Sequence, residues 1–284
     1  MTPTPSTPYS RDLGDELRHL REKHTSYTGT EMGYVLGWHQ TKVSNVENGK
    51  TRASEIDIVQ YLTTCKRSRA SVEEFLNRYR HAFDAYFVQV PENLRTLALA
   101  EAPATKATSY DQTVIPGMLQ TENYARAYLA RRRPMPEDKL ETFVAFRMQR
   151  QAVLQREDRP AWTFFVHEQA LRLHVGDDQV MEEQMLRLMF KTHSIRIVPD
   201  SAGAAGAIGG TYIRWEYKRD KPVVYTETLI GQLFSQDKRA VARCTQLFND
   251  LDQIAMDEGQ SRSLLMGYIG RPREDPNDPG SHVA

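Results

Sequence analysis

Leu13, Leu17 and Leu20 recur at i, i+4 and i+7, an apolar stripe at helical spacing. The chain continues from there to about Cys65 as a series of short helical patterns. Thr28 stands three residues before Glu31, the spacing of a capping box, and Met32, Val35 and Leu36 are expected on the buried side of a second helix. Gly37 follows, where a tight turn needs positive φ. A third helix is expected from about Gln40 to Asn48, ended by Gly49. Ser54 with Asp57 begins a fourth, burying Ile56, Val59 and Leu62. Ser71 with Glu74 begins a fifth, with Phe75, Leu76, Tyr79, Phe83 and Tyr86 on its apolar side.

After Pro91 a further helix (Leu94, Leu97, Ala98) runs to Pro103, and the style of the sequence changes. Helices are expected at about 121–132, 137–156, 178–191 and 236–256. Four β-rich segments accompany them: Trp162–Val166, Ser194–Val198, Thr211–Tyr217 and Val223–Thr228. Strands and helices without regular βαβ alternation predict an α+β domain with an antiparallel or mixed sheet, behind an all-α N-terminal domain. The expected boundaries are a disordered tail over 1–10, a helical domain over 11–88, an α+β domain over 89–270 and a second disordered tail over 271–284.

A length of 284 residues fits two domains, and 40% hydrophobic content is enough to bury real cores. No apolar run approaches a membrane span, and Met1 to Asp12 lacks the apolar stretch of a secretory signal, so a soluble cytoplasmic protein is expected. Cys65 and Cys244 stand far apart without metal-ligand spacing, which argues against a disulfide framework or a zinc finger. Lys and Arg (37) balance Asp and Glu (37), so binding to nucleic acid must come from a local surface.

Such a surface is offered by the second and third helices, two short helices joined by a turn containing Gly37: a helix-turn-helix, whose second member enters the DNA major groove. At about 100° per residue, Gln40, Thr41, Ser44, Asn45 and Asn48 fall on one side of that member and Val43 and Val46 on the other. The outward side is short, polar and nearly uncharged, which suits hydrogen bonds to base edges. Lys42 sits off its centre, and Lys50 and Arg52 follow the helix as phosphate clamps. Residues 11–80 carry twelve basic against ten acidic side chains, a weak excess that argues for a dimer on double-stranded DNA.

With the run Val43-Ser44-Asn45-Val46-Glu47-Asn48-Gly49-Lys50, residues 13–65 resemble the phage-repressor type of helix-turn-helix, the XRE family. The resemblance implies that Gln40, Thr41, Ser44 and Asn45 occupy base-reading positions and that Glu47 is an internal structural residue. The family often begins the second helix with a phosphate-touching Gln; here Gly29 stands there.

Residues 92–270 are similar to a domain that follows the helix-turn-helix in many actinobacterial regulators, including antitoxin-like ones paired with a small partner protein. The similarity rests on Ile115-Pro116-Gly117-Met118-Leu119-Gln120-Thr121, on Tyr124-Ala125-Arg126-Ala127, and on Arg147, Arg150, Gln151 and Glu168. Pro116-Gly117 predicts a type II turn with Pro at i+1 and Gly at i+2. The glycines from Gly203 to Gly210 precede a strand and lack a following Lys-Ser/Thr, so they read as a loop rather than a phosphate cradle. His167-Glu168 with His174 lacks metal-ligand spacing, and no G-x-S-x-G occurs. No enzyme, cofactor or metal is expected. The leading expectation is a homodimeric transcriptional regulator on a pseudo-palindromic operator. The alternatives are an antitoxin-like binding partner of a small cognate protein, and a regulator that senses a small-molecule effector.

Overall fold

A computed structural model of the chain describes residues 6–89, 94–132, 135–228 and 231–269. The expected tail over 271–284 and the first five residues of the expected N-terminal tail lie outside the described residues. Residues 8–10 of that tail are helical. The first helix, α1 (Pro8–His24), starts where the Thr7 hydroxyl accepts the Ser10 N–H at 2.9 Å, with Pro8 at a position whose missing N–H costs nothing.

Both capping boxes form. Thr28 and Glu31 open α2 (Gly29–Leu36), and Ser54 and Asp57 open α4 (Glu55–Thr64), on either side of α3 (Gln40–Glu47). The expected buried faces are partly corrected. Met32 is buried but Val35 is exposed. On α4 the inward stripe is Ile58, Tyr61 and Leu62, while Ile56 is 72% exposed and Val59 faces out as well. Tyr61 turns inward because its hydroxyl has a buried partner in Glu47, and that rotates the helix away from the all-aliphatic stripe. Helix α5 (Arg69–Tyr79) begins three residues before the expected cap, at Ser68, whose Oγ accepts the Ser71 N–H. It ends before Phe83, and Tyr86 lies in a strand.

The chain forms two compact units. The first comprises residues 1–105 and 214–243, the second 106–213 and 244–284. The expected domain boundary at 88/89 falls inside the first unit.

In the first unit the five helices are joined by β1 (Tyr86–Gln89), α6 (Leu94–Glu101), β6 (Val223–Glu227) and β7 (Gln232–Ser235). The strand order is β1-β7-β6, both pairs antiparallel, followed by β5 (Thr211–Glu216), which runs across the boundary between the units. Phe87 is stacked between Tyr9, at 4.9 Å, and Phe234, at 4.8 Å. Beyond Phe234 lie Tyr225 and Trp215, so one aromatic column ties α1 to the sheet. Polar contacts reinforce the tie: the Thr96 hydroxyl donates to Asp12 at 2.7 Å, and the Arg11 guanidinium lies 5.7 Å from the centre of the Tyr217 ring.

In the second unit β5 is followed by β2 (Lys106–Asp111), β3 (Ala161–His167) and β4 (Ile195–Val198), the last three parallel. With the antiparallel pairs of the first unit, the seven strands make the sheet mixed. The unit also holds α7 (Glu122–Arg132), α8 (Glu137–Arg150), α9 (Glu168–Arg172), α10 (Asp178–Met189) and α12 (Glu258–Tyr268), and α11 (Lys238–Ile254) enters it from the first unit.

The Ile115–Thr121 segment is a loop whose backbone is satisfied by buried glutamines. Gln151 Nε2 donates to the carbonyls of Gly117 and Gln120, both at 2.9 Å. Gln184 accepts the Thr121 N–H at 2.8 Å and donates to the Leu119 carbonyl at 3.0 Å. The Leu119 N–H donates to the Pro116 carbonyl at 2.8 Å, which puts Pro116 at i and Gly117 at i+1. Gly117 is not among the glycines with positive φ. The expected type II turn is therefore corrected: the side-chain clamps, rather than the Pro-Gly pair, set this bend.

Candidate nucleic-acid interface

Helix α2 closes on Gly37 at φ 65°, ψ 28°, and the Trp38 N–H donates back to the Gly33 carbonyl at 2.8 Å. Gly37, Trp38 and His39 are then the entire connection to α3. At the far end of α3, Gly49 takes φ 61°, and a Cβ on it would lie 2.2 Å from the Ser10 carbonyl oxygen. Glycine at 49 lets the backbone of α1 come directly against the end of α3.

Helix α3 turns Val43 and Val46 into the core and leaves Gln40, Thr41 and Ser44 exposed, with Asn45 half-buried beside them. These four expected readers share one outward face. The other expected residues are engaged in different ways. Lys42 Nζ lies 2.7 Å from Asp57 Oδ1 and 4.1 Å from the centre of the Trp38 ring, so it braces α3 against the start of α4. Lys50 is exposed just past the helix. Arg52 is exposed and donates to the Arg80 carbonyl at 3.0 Å, which anchors the loop after α3 to the end of α5. Asn48, on the polar side by spacing, is a strut instead: it donates to the Ser44 carbonyl at 2.7 Å and accepts from Arg18 at 3.0 Å.

Glu47 is buried, with its carboxylate receiving Arg21 Nε at 2.8 Å, Arg21 Nη2 at 2.9 Å and the Tyr61 hydroxyl at 2.6 Å. The hydrogen bonds to Glu47 hold the Arg21 guanidinium more strongly protonated than usual, against the opposing effect of burial. Burial, with Glu47 as a second cause, pushes the Tyr61 phenol well above its ordinary range. A charge-assisted, bidentate cluster thus fixes α3 to α1 and α4, and the polar face is presented on a rigid support.

His39 was not anticipated. It caps α3, its Nδ1 accepting the Thr41 N–H at 3.2 Å and lying 2.9 Å from the Thr41 hydroxyl. With Nδ1 as acceptor, the neutral ring carries its proton on Nε2. Histidine is an uncommon N-cap type, so capping preferences alone do not flag it. The start of α2 carries its own anion. Glu31 accepts the Thr28 N–H at 2.7 Å, and that bond lowers its carboxyl below the usual range, which places a negative charge at the N-terminus of the helix.

In the second unit, His167 is buried and caps α9 through Nδ1, which accepts the Gln169 N–H at 3.2 Å. Glu168 accepts from the Tyr268 hydroxyl and from the Asp200 N–H.

Residues 12–75 match a family described as Helix-turn-helix domain, and residues 94–267 match one described as Domain of unknown function (DUF5753). No curated protein and no solved structure matches the chain. Among the described residues no helix is long and apolar enough to cross a membrane. The first match coincides with α1 to α5, so the N-terminal helices form a helix-turn-helix DNA-binding domain. The second spans more than half of the sequence, and the protein accordingly belongs to the DUF5753 family, with that DNA-binding domain at its N-terminal side.

Proposed function

We propose that the protein is a sequence-specific DNA-binding transcriptional regulator of the cytoplasm, with no catalytic activity, that works as a homodimer on a pseudo-palindromic site. One observation carries the reading: the outward face of α3, behind a three-residue turn, presents Gln40, Thr41, Ser44 and Asn45 on a helix whose inward face is locked by Glu47 and Arg21. Gln and Asn pair bidentately with adenine, and each such pair is worth about 1–3 kcal/mol of discrimination. Lys50 and Arg52 add contacts to the phosphate backbone. Two copies of α3 would enter successive major-groove faces about 34 Å apart. Residues 94–267 would supply the regulatory input.

The test is selection of bound DNA from a random pool by the full chain and by a Gln40→Ala, Asn45→Ala double variant. Enrichment of a two-fold symmetric motif by the parent, lost in the variant while weak salt-sensitive binding persists, is the expected result. A parent protein that enriches no motif would sink the reading.

A further inference from the structure

The two outer strands of the sheet are finished differently. On β4, the Ile197 N–H donates to Ser261 Oγ at 3.1 Å and the Ile197 carbonyl accepts the Met256 N–H at 2.8 Å, so α12 and the turn before it cover that edge. Among the described residues, β1 is bonded on one side only, to β7. Its register with β7 pairs Tyr86 with Ser235, Phe87 with Phe234 and Val88 with Leu233. The Gln236 N–H donates to the Ala85 carbonyl at 2.8 Å, one step further along the same register. Bonded and non-bonded pairs alternate in an antiparallel ladder, so Phe87 and Gln89 are the bonded positions of β1. Tyr86 and Val88 therefore turn their N–H and C=O groups away from β7. The two residues are 49% and 70% exposed.

We propose that β1 is a dimerisation strand, which a second copy of this chain joins with its own β1, antiparallel, about a two-fold axis at Phe87. In that register Tyr86 of each copy meets Val88 of the other, and the outward N–H and C=O groups at the two positions close four hydrogen bonds. Each Tyr–Val contact is an aromatic against a β-branched side chain, a favourable cross-strand pair. Exposed edges are ordinarily blunted by lysine, proline or inward-pointing charge, and residues 85–89 (Ala-Tyr-Phe-Val-Gln) contain none of these.

Charge and placement both favour a second copy as the occupant. In that register positions 86, 87 and 88 meet 88, 87 and 86 of the other copy, and with no charged side chain in the strand no like charges are brought together. β1 also belongs to the same compact unit as α3, so an axis through Phe87 fixes the two copies of α3 relative to each other, as paired half-sites require. Four bonded positions bury far less than the roughly 1,200–2,000 Å² of a stable interface, so the dimer forms in a concentration-dependent equilibrium and is completed on DNA. The inference rests on the dimeric regulator proposed above and assigns its two-fold contact.

Sedimentation of the full chain over a wide concentration range, with and without the selected DNA, tests it. Val88→Pro removes only the N–H that faces away from β7, leaving the bonds at Phe87 and Gln89 intact. Val88→Lys keeps that N–H and adds a charge, and serves as the reading if the proline variant fails to fold. The expected result is a monomer–dimer equilibrium for the parent and a monomer for the variants, which melt at the parent's temperature and bind one half-site at a time. A parent that stays monomeric at every concentration and binds DNA singly overturns the pairing. So do variants that dimerise as the parent does. A monomeric parent that still enriches a DNA motif would discard the β1 contact and leave DNA reading intact, whereas a dimer that enriches no motif does the reverse.

Discussion

Asp57 serves two helices at once: Oδ2 accepts the Ser54 N–H that closes the cap of α4, while Oδ1 holds Lys42 of α3 at 2.7 Å. Burial pushes its carboxyl upward, but the bonds from Lys42 and Ser54 outweigh that and leave it below its ordinary 3.8. A carboxyl lowered by folding stabilises the native state fully above its unfolded value, and that stabilisation is lost as pH falls through the lowered folded value. Urea midpoints measured against pH should fall more steeply below 3.8 for the parent than for Asp57→Asn. Equal acid slopes would show that the pair contributes nothing.

Breaking the Glu47 cluster from either side should be costly. Arg21→Ala leaves a buried carboxylate short of its partner and is expected to lose about 3–5 kcal/mol. Tyr61→Phe removes one bond to that charge, for about 1.5–3 kcal/mol. Denaturant unfolding of both variants and of the double variant is the check, with the double expected to lose less than the two combined.

The cations around α3 should separate by salt dependence. Lys50→Ala is expected to weaken DNA binding on all sequences alike and to reduce the slope of log affinity against log salt by about 1. Lys42→Ala should leave that slope nearly unchanged and lower stability instead, since its ammonium is committed to Asp57 and Trp38. Equal slope changes in titrations of the two variants would contradict this division of labour.

Gln151 is the clamp of the Ile115–Thr121 loop. Gln151→Ala removes the donor to two carbonyls and the acceptor of Arg187, whose bond to Gln151 Oε1 measures 2.5 Å. A loss of about 1–3 kcal/mol is expected for each buried group left unpaired. Thermal melting of this variant beside Gln246→Ala, on an exposed bond to Asp250, measures the difference.

Local rules read the headpiece well because its helices announce themselves. Thr28-Glu31 and Ser54-Asp57 gave the starts of α2 and α4, and Gly37 and Gly49 adopt the positive φ that ends α2 and follows α3. Facing was harder. On α4 the aliphatic count favoured Ile56 and Val59, but the hydrogen bond from Tyr61 to Glu47 decided which side turned inward. Three strands escaped notice for separate reasons. β1 has four residues and follows an apolar helical pattern without a break. β2 (Lys-Ala-Thr-Ser-Tyr-Asp) is too polar to read as a buried parallel strand, and β7 (Gln-Leu-Phe-Ser) is too short to show alternation. Their pairing is long-range, and no local pattern encodes it.

The place of Phe87 between Tyr9 and Phe234 bears on how such proteins can be recombined. The segment matched as a helix-turn-helix ends at residue 75, yet the ring that seats α1 on the sheet comes after it, and its other neighbour arrives more than a hundred residues later. The head is therefore not a detachable cassette. Outward residues of α3 can be exchanged in place, but exchanging the whole head requires Tyr9, Phe87 and Phe234 to travel or co-adapt as a set. If the outward face of α3 reads DNA as proposed, specificity in this chain is easier to alter by point substitutions on that face than by swapping domains.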